Sequence, residues 1–425
     1  EKQKMTDCLS AFCGDDVRQK VPHTEDGGGV LSNEQIVRDP KDDLRPGGRE
    51  RQTGAASVEL EYYSDAPSRD DMVFWHGKDK GVSYDDADFA KVDTIITGPH
   101  AGASFPVELK PFVSPLLTRR NQYDFSDVAT GPVGRAWASI DERVVFVQNC
   151  APRVVTDANR ALHDDNPEPA LREFFRRRHA GLTSYAGVDS VRPVTFNNIP
   201  VLREPESPAD WEALVGTIKK AREKGPTAYY HTLDAVVDRV IESRAFTDDQ
   251  PLTLVCLHDT DAFKCAADGS LSVARPPKDN MPDLVCLGNA GDASGAGASL
   301  SMPKAELVRM AGVWAKAFGY SEGAVASGDS EGGAVYLNRP YKKGFESTHW
   351  PQHIREKPKG PRTVHAVQVE FLRKVLHGPR VDVELRKPGV GYPQEDREHA
   401  KTVAEKLKWA TDRLRDERSH AEGRL

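Results

Sequence analysis

Two histidines follow apolar runs of the chain, at positions where metal-binding side chains are well placed. His258 comes after the run LTLVCL, and His100 lies in a Pro-His-Ala-Gly turn after the run VDTIITG. Each run predicts a buried strand, and ligands of open α/β sheets gather at the carboxyl ends of strands. Local hydrogen bonding explains either histidine when it is considered alone, but two histidines in the same context favour a shared metal site.

A catalytic zinc site has three protein ligands and keeps one position open for water. The segment QYDFSDVA offers the carboxylates of Asp124 and Asp127 as the third ligand. Either aspartate is equally suited to cap a helix. The expected cofactor is zinc, and both aspartates stay open as ligands at this point.

Water activated by a metal also needs a carboxylate that accepts its proton and passes it to the leaving nitrogen. Glu370 is the best candidate because it lies in the apolar stretch VHAVQVEFL, where burial of a charge is costly unless the group has a partner or a function. A carboxylate that faces solvent on an edge strand is the alternative. Gln368 lies two residues earlier and therefore on the same face of a strand.

The segment APRVVTDANR carries basic and amide side chains after another strand-like run. It contains Arg153, Asp157, Asn159 and Arg160. An arginine binds a carboxylate through two parallel hydrogen bonds, and a neighbouring asparagine adds a neutral donor. The segment predicts a substrate with a free carboxylate, with internal salt bridges to Asp157 as the alternative.

Other nucleophiles and phosphate-binding loops are less favoured. The glycine-rich segments LGNAGDASGAGAS and ASGDSEGGA lack the ending of a phosphate-binding loop and the GxGxxG pattern, so they are interpreted as ordinary loops. The GxSxG spacing occurs in GDSEG (328–332), which is part of the second of these loops and is not interpreted as a nucleophile elbow, and no cysteine has an evident histidine partner, so a serine or cysteine nucleophile is a weak alternative.

Strand-like apolar runs alternate with helical patterns along most of the chain, which is typical of an α/β fold. Strands are predicted at VDTIITG and at residues 144–148, 252–257, 284–287, 333–337 and 365–369. Helices are predicted at residues 210–223, 230–243, 304–318, 370–376 and 395–415. Residues 1–55 are predicted to form a poorly ordered or wrapping extension, and residues 163–209 an insertion over the sheet.

Composition excludes several partner classes for this chain of 425 residues. Its 58 Lys and Arg against 65 Asp and Glu give 58 − 65 = −7, which provides no general attraction to nucleic acids or acidic membranes. No apolar run is long enough to span a membrane, and no leader pattern opens the chain. The six cysteines form no CxxC pair and are interpreted as reduced, although Cys8 and Cys13 are also able to pair. A cytoplasmic protein is expected.

Seven short motifs, taken in order, resemble those of the N-formylglutamate amidohydrolase family, which is related to zinc carboxypeptidases. They are PHAGASFP (99–106), APRVVTDANR (151–160), YHTLDAVVDRV (230–240), LTLVCLHDTDAF (252–263), PDLVCLGNAGDAS (282–294), NRPYKKGF (338–345) and VHAVQVE (364–370). The resemblance implies an α/β fold of the zinc-carboxypeptidase type, with a mixed central sheet flanked by helices. It divides the chain into an N-terminal extension (1–90), a metal-dependent amidohydrolase domain (91–380) and a C-terminal helical extension (381–425).

The resemblance also implies roles for residues that match the motifs. Zinc would be held by His100, Asp127 and His258, with Glu370 as general base and acid. Arg153 would polarise the scissile carbonyl and stabilise the oxyanion. Residues implied in substrate binding are Asn159 and Arg160, which would hold the carboxylate, together with His231, Tyr341 and Gly344.

Departures from the motifs indicate an altered substrate pocket. The family's serine in the first turn is Ala101 here, its His-Ser pair is His258-Asp259, and its Gly-Gly-Tyr turn is Lys343-Gly344-Phe345. We therefore predict zinc-dependent hydrolysis of an N-acyl amino acid, or of a small peptide-like amide with a free carboxylate, rather than of formylglutamate in particular. A noncatalytic protein that binds carboxylates and an amide-forming biosynthetic enzyme are the alternatives.

Overall fold

A computed structural model describes residues 58–161, 166–182, 184–244, 246, 251–326 and 332–422. The predictions for residues 1–57, with Cys8 and Cys13, lie outside this part of the chain. The strands are β1 (Tyr62–Tyr63), β2 (Val73–Trp75), β3 (Thr94–Gly98), β4 (Phe105–Pro106), β5 (Val144–Gln148), β6 (Leu252–Thr260), β7 (Phe263–Cys265), β8 (Leu271–Ala274), β9 (Val285–Gly288), β10 (Val325–Ala326), β11 (Val335–Leu337) and β12 (Val364–Leu372).

The helices in the described ranges are α1 (Arg69–Met72), α2 (Arg119–Asp124), α3 (Thr130–Ile140), α4 (Glu168–His179), α5 (Pro208–Arg222), α6 (Ala228–Ser243), α7 (Lys304–Ala317), α8 (Phe345–Glu356), α9 (Arg373–Leu385) and α10 (Arg397–Glu422). A π-helical turn, Glu223–Thr227, joins α5 to α6, and short 3-10 turns cover Lys78–Lys80, Val107–Phe112, Pro277–Asp279 and Glu322–Ala324.

Eight strands form a mixed central sheet in the order β10-β11-β9-β12-β6-β3-β5-β2. Its middle strands β12, β6, β3 and β5 run parallel, whereas β9 is antiparallel to β12 and β2 is antiparallel to β5. Every residue of β3, β5, β6 and β12 is buried, as expected for parallel strands covered on both faces. The predicted α/β class with a mixed sheet is confirmed, and the likeness to zinc carboxypeptidases stays a prediction.

Helices cover both faces of this sheet. Neighbouring residues of each strand point to opposite sides, so each strand contributes side chains to the core on both faces. On one face, Phe146 of β5 belongs to the same core cluster as Trp137 of α3 and Trp314 of α7. On the other face, Val145 shares a cluster with Val237 of α6 and with Trp350 of α8. The two layers hold the middle strands, and thus their carboxyl ends, in place.

The prediction of a helix at residues 370–376 is wrong over its first three residues. Strand β12 continues through Leu372, and α9 begins at Arg373. Glu370 is held in the strand because β12 has neighbours on both sides, with Glu370 opposite His258 in β6 and opposite Cys286 in β9. Ladder pairing on both sides overrides a local helical pattern.

The predicted insertion at 163–209 contributes α4 and an isolated bridge between Val194 and Pro200. Its residues Phe174, Val188 and Val194 form a small core of their own with Tyr185. None of the described helices is both long and apolar enough to cross a membrane. Cys150, Cys256, Cys265 and Cys286 are free thiols, which confirms the interpretation of these four as reduced. A cytoplasmic location stays a prediction.

Candidate functional site

The two parallel neighbours β3 and β6 carry the two histidines. His100 lies in the turn after β3, and His258 lies within β6, two residues before its end. The turn after β3 packs so closely on the end of β5 that a Cβ at Gly102 would lie 2.2 Å from the carbonyl oxygen of Cys150. Glycine is therefore required at this position of the turn that carries His100.

The imidazoles of His100 and His258 meet the carboxylate of Asp127. The Nδ1 atoms of the two histidines are 3.1 Å apart, and Asp127 Oδ2 lies 3.2 Å from His100 Nδ1 and 2.9 Å from His258 Nδ1. All three residues are at most 4% exposed. Asp124, the other predicted ligand, instead pairs with Arg373 at 2.8 Å.

These three atoms fit a divalent cation. Zinc bonds of about 2.0–2.2 Å in a tetrahedral arrangement separate ligand atoms by roughly 3.3–3.6 Å. The observed separations of 2.9–3.2 Å need only a small opening. Two imidazole nitrogens and one carboxylate oxygen are also the usual ligands of catalytic zinc, with one position left for water.

Asp157 fixes the protonation of His100 from the other side of the ring. His100 Nε2 lies 2.7 Å from Asp157 Oδ1, and because an ionised carboxylate only accepts hydrogen bonds, we assign the proton of a neutral His100 to Nε2, which leaves the lone pair of Nδ1 facing Asp127 and His258. Burial raises the pKa of Asp157, but His100 and Arg153 outweigh burial and hold it well below its usual value. Asp157 is therefore an ionised acceptor, as are the carboxylates that commonly orient metal-bound histidines.

The partners of His258 differ from those of His100: its Nε2 atom faces an amide, and its Nδ1 atom faces the carboxylate of Asp127. The amide nitrogen of Asn159 lies 3.2 Å from His258 Nε2, and the amide oxygen accepts from the backbone N–H of Glu346 at 3.1 Å. A neutral His258 in this network carries its proton on Nδ1 and donates it to Asp127. Coordination of a cation through Nδ1 requires that proton to move to Nε2, with the oxygen of the Asn159 amide turned to accept it.

Arg153 connects the two aspartates of the site. Its Nη2 donates to Asp127 Oδ1 at 2.6 Å, and its Nη1 donates to Asp157 Oδ2 at 3.3 Å. Burial raises the pKa of Asp127, but Arg153 and His100 together bring it well below its usual value. Asp127 is therefore ionised, as a metal ligand must be.

Glu370 lies beside His258, directly opposite it in the pairing of β12 with β6. Burial raises the pKa of Glu370 to about 7, while His258 lowers it and Asp127 raises it further. A carboxyl group that titrates near neutrality both accepts and donates protons readily at physiological pH. The arrangement can therefore hold a cation and transfer a proton next to it.

A model of the N-formylglutamate amidohydrolase family matches residues 92–376 of the chain. The chain belongs to this family. It is thus an amidohydrolase that acts on a small molecule. The sequence prediction of the family is confirmed.

The solved structures that are similar to the chain include the following two, and both likenesses are distant. One is an N-formylglutamate amidohydrolase from Ralstonia eutropha, with 16% identity over 78% of this chain and 95% of the other, and a TM-score of 0.43. The second is a gene product of Agrobacterium tumefaciens, with 12% identity over 77% of this chain and 92% of the other, and a TM-score of 0.42. No curated protein matches the chain in sequence.

Of the substrate-binding residues that the family motifs imply, Asn159 contacts His258 directly. Arg160 is 43% exposed at its side chain and pairs with Asp189 at 3.1 Å. Tyr341 lies near the end of β6, where its hydroxyl is 3.3 Å from Thr260 Oγ1. His231, by contrast, is exposed on α6, so its contact with substrate stays a prediction.

Gly344 is needed for the packing of the chain just before α8, and its contact with substrate stays a prediction. A Cβ at this position would lie 2.2 Å from the side-chain amide of Asn159. The glycine therefore lets the start of α8 approach Asn159, whose amide oxygen binds the next turn through Glu346. The side chain that comes this close to Gly344 is Asn159, a residue of the candidate site.

Sequence reasoning missed the residues that hold the loop of Asp127. Arg373 donates to Asp259, to Asp124 Oδ1 at 2.8 Å and to the carbonyl of Ser126 at 2.9 Å. Asp259 Oδ2 in turn accepts from the backbone N–H of Ala129 at 3.1 Å. Asp259, which stands where the family motif has serine after His258, was a visible departure in the sequence. Arg373 lies in no motif, so nothing in the sequence indicated its role.

Proposed function

We propose that the protein uses zinc to hydrolyse the amide bond of an N-acyl amino acid, or of a small peptide-like amide with a free carboxylate. The observation that supports this proposal best is the convergence of His100 Nδ1, His258 Nδ1 and Asp127 Oδ2 within 3.2 Å of one another. Glu370 lies opposite His258 on the next strand. Membership of the amidohydrolase family supports hydrolysis of an amide as the reaction, and the geometry of the site supports the choice of the residues that would carry it out.

His100, Asp127 and His258 would hold the metal through these three atoms. Bound zinc supplies Lewis acidity, which makes water more acidic and an amide carbonyl more electrophilic. Asp157 keeps the lone pair of His100 directed at the metal position through the 2.7 Å hydrogen bond to Nε2. Arg153 neutralises part of the charge of Asp127 and Asp157.

Glu370 transfers the proton. Its carboxylate accepts a proton from the attacking water as the new C–O bond forms. It then donates that proton to the nitrogen as the C–N bond breaks, which gives an amine and a carboxylic acid, and transfer of the acid's proton to the amine gives the carboxylate and ammonium ions that leave. A pKa of about 7 suits both halves of this transfer, because neither protonation state is strongly preferred.

The substrate's carboxylate is assigned to Arg160 and Asn159. The Arg160 side chain is exposed enough to meet a ligand from solvent. Asn159 is the less available of the two, since its amide contacts His258 and Glu346. Arg153 remains the predicted donor to the oxyanion, and it is also engaged by the two aspartates.

The test compares Glu370→Gln with wild type and with Glu212→Gln, a change of an exposed glutamate on α5. We expect about one zinc per chain in all three proteins by elemental analysis. Turnover of a panel of N-acyl amino acids should fall by roughly 10²–10⁴-fold in Glu370→Gln alone. Metal-free wild type that binds carboxylates without hydrolysing them, or full activity in Glu370→Gln, would overturn the proposal.

A further inference from the structure

A second group of metal-binding side chains lies where β6 ends against α9. Asp261 directly follows β6, and His377 and Asp382 belong to α9. One ring nitrogen of His377 and one carboxylate oxygen of each aspartate all lie within 4.8 Å of one another. None of these three residues holds the proposed zinc ion, and no step of the proposed reaction uses them.

His377 has a ring nitrogen without a partner. The residue is 6% exposed, its Nδ1 lies 3.1 Å from the carbonyl oxygen of Gly378, and its Nε2 is buried with no hydrogen-bond partner among the residues that the structure describes. A carbonyl oxygen only accepts, so the proton of a neutral ring is on Nδ1 and Nε2 carries a lone pair. Burial lowers the pKa of His377 to about 4, although the hydrogen bond to Gly378 raises it, so the ring is neutral at pH 7. A buried polar atom without a partner calls for an explanation, and a bound cation provides one.

Arg386 is the cation that the two aspartates share in this structure. Its Nη1 lies 3.1 Å from Asp261 Oδ1, and its Nη2 lies 2.6 Å from Asp382 Oδ1. The other oxygens are less engaged, since Asp261 Oδ2 lies 3.5 Å from Nη2 and the pair with Asp382 does not use Oδ2. Two carboxylates and one guanidinium also leave one negative charge unbalanced. The cluster therefore keeps both charge and donor atoms for a second cation.

We propose that Asp261, His377 and Asp382 form a second metal site, which binds a divalent transition-metal cation and ties α9 to the end of β6. An imidazole nitrogen with carboxylate oxygens is a donor set that suits zinc and manganese. The separations of up to 4.8 Å exceed the roughly 3.3–3.6 Å of a tetrahedral zinc site, so the ligands must close around the ion. Asp382 is placed to make this movement, because its side chain is 23% exposed.

The guanidinium of Arg386 competes with a cation at this site. We therefore expect weaker binding than at the site of His100, Asp127 and His258. Protein that holds about one zinc per chain should take up a second cation only when metal is added. The inference does not depend on the proposed reaction.

Titration with Mn²⁺ tests the second site in protein that already holds one equivalent of zinc. Manganese binds such ligands less tightly than zinc and so leaves the first site loaded. The electron paramagnetic resonance signal of free Mn²⁺ should show about one further cation bound per chain. In His377→Gln and in Asp382→Asn its dissociation constant should rise about tenfold or more, at least the loss expected when an outer partner of a metal ligand is removed.

The matched control is Glu384→Gln, which alters an exposed carboxylate of the same helix that pairs with Lys387 at 2.7 Å. Its dissociation constant for Mn²⁺ should stay at the wild-type value. Because His377 is buried, Asp382→Asn keeps the test decisive if His377→Gln does not fold. Mn²⁺ should also raise the melting temperature of wild type, and not that of Asp382→Asn, since an ion bound only by the folded state stabilises it.

Arg386→Gln provides a variant with the opposite expected sign. Removal of the competing guanidinium should lower the dissociation constant for Mn²⁺ several-fold. Wild type that binds no further cation overturns the proposal even if Arg386→Gln binds one, because the arginine then takes the place of the metal. Equal affinities in Asp382→Asn and Glu384→Gln overturn it as well.

His100→Ala separates this site from the proposed zinc site. The variant should lose zinc and turnover and keep the Mn²⁺ affinity of wild type. Binding of Mn²⁺ that is lost in His100→Ala and kept in Asp382→Asn would overturn the second site alone. Absence of zinc and of hydrolysis in wild type, with binding of Mn²⁺ that still depends on Asp382, would refute the proposed function alone.

Discussion

Asp157 accepts a hydrogen bond from His100 Nε2 at 2.7 Å, while the other ring nitrogen of His100 faces Asp127 and His258. The ring is thus held between an acceptor that fixes its proton and the proposed metal position. Arg153 Nη1 lies 3.0 Å from the same Nε2 and 3.3 Å from Asp157 Oδ2. The tautomer of His100 therefore depends on Asp157 remaining an anion.

The first prediction concerns this pair. Asp157→Asn removes the anion that fixes the His100 proton, so zinc affinity should fall about 10- to 100-fold. Competition with a chromogenic chelator measures the dissociation constant. The matched control is Asp234→Asn, which alters an Asp–His contact of the same 2.7 Å length at the surface, with His353. Equal zinc affinity in the two variants would contradict the role of Asp157.

The second prediction follows from the amide of Asn159. Asn159→Asp places an acceptor opposite His258 Nε2, so the proton of His258 should move there and free Nδ1 for the metal. The other carboxylate oxygen still accepts from the N–H of Glu346. We expect tighter zinc binding together with slower turnover, because the new charge repels the substrate's carboxylate. Weaker zinc binding in a folded variant would show that Nδ1 of His258 is not a ligand.

The third prediction concerns Glu346, a fully buried carboxyl group that contacts Thr97 and Tyr229, each at 2.5 Å. Burial raises the pKa of Glu346 to about 7 from 4.5. The folded state therefore binds a proton that the unfolded state releases, and the free energy of unfolding should fall as pH rises from 4.5 to 7. Below 4.5 both states are protonated, so the pH dependence from this group ends there.

Glu346→Gln removes that proton equilibrium and keeps the side-chain volume. Metal-free protein should gain stability in the variant at pH 8, by up to about 3 kcal/mol, and should gain little at pH 4. Urea unfolding at the two pH values measures the difference. The control is Glu356→Gln, which makes the same change at an exposed carboxylate of the same helix. A gain of the same size at both pH values would contradict the assignment.

The sequence predicts the strands of the site well because apolar runs of parallel strands are buried on both faces. Residues 144–148 match β5, and His100 and His258 follow or end such runs as expected. The choice between Asp124 and Asp127 depends on a loop whose path is held by Arg373, from a distant part of the chain. The role of Asp157 depends on the rotation of one imidazole. Contacts of this kind leave no local pattern in the sequence.

The last prediction tests how that loop positions Asp127. Arg373→Lys keeps the charge but loses the fork that reaches Asp259, Asp124 and the carbonyl of Ser126 together. Asp127 should then be placed less accurately, and the dissociation constant for zinc should rise about tenfold. The control is Arg380→Lys, an exposed arginine of the same helix that pairs with Asp396.

Two measurements on Arg373→Lys separate positioning from simple loss of stability. Saturating zinc should restore most of kcat, because Glu370 and the substrate-binding residues are unchanged and the loss lies in metal affinity. A lower melting temperature with an unchanged zinc dissociation constant would instead assign Arg373 to stability alone. Since Arg373 contacts Asp124, Ser126 and Asp259 but does not contact Asp127, we expect its effect on zinc to pass through the backbone of that loop and through Asp259, which follows His258.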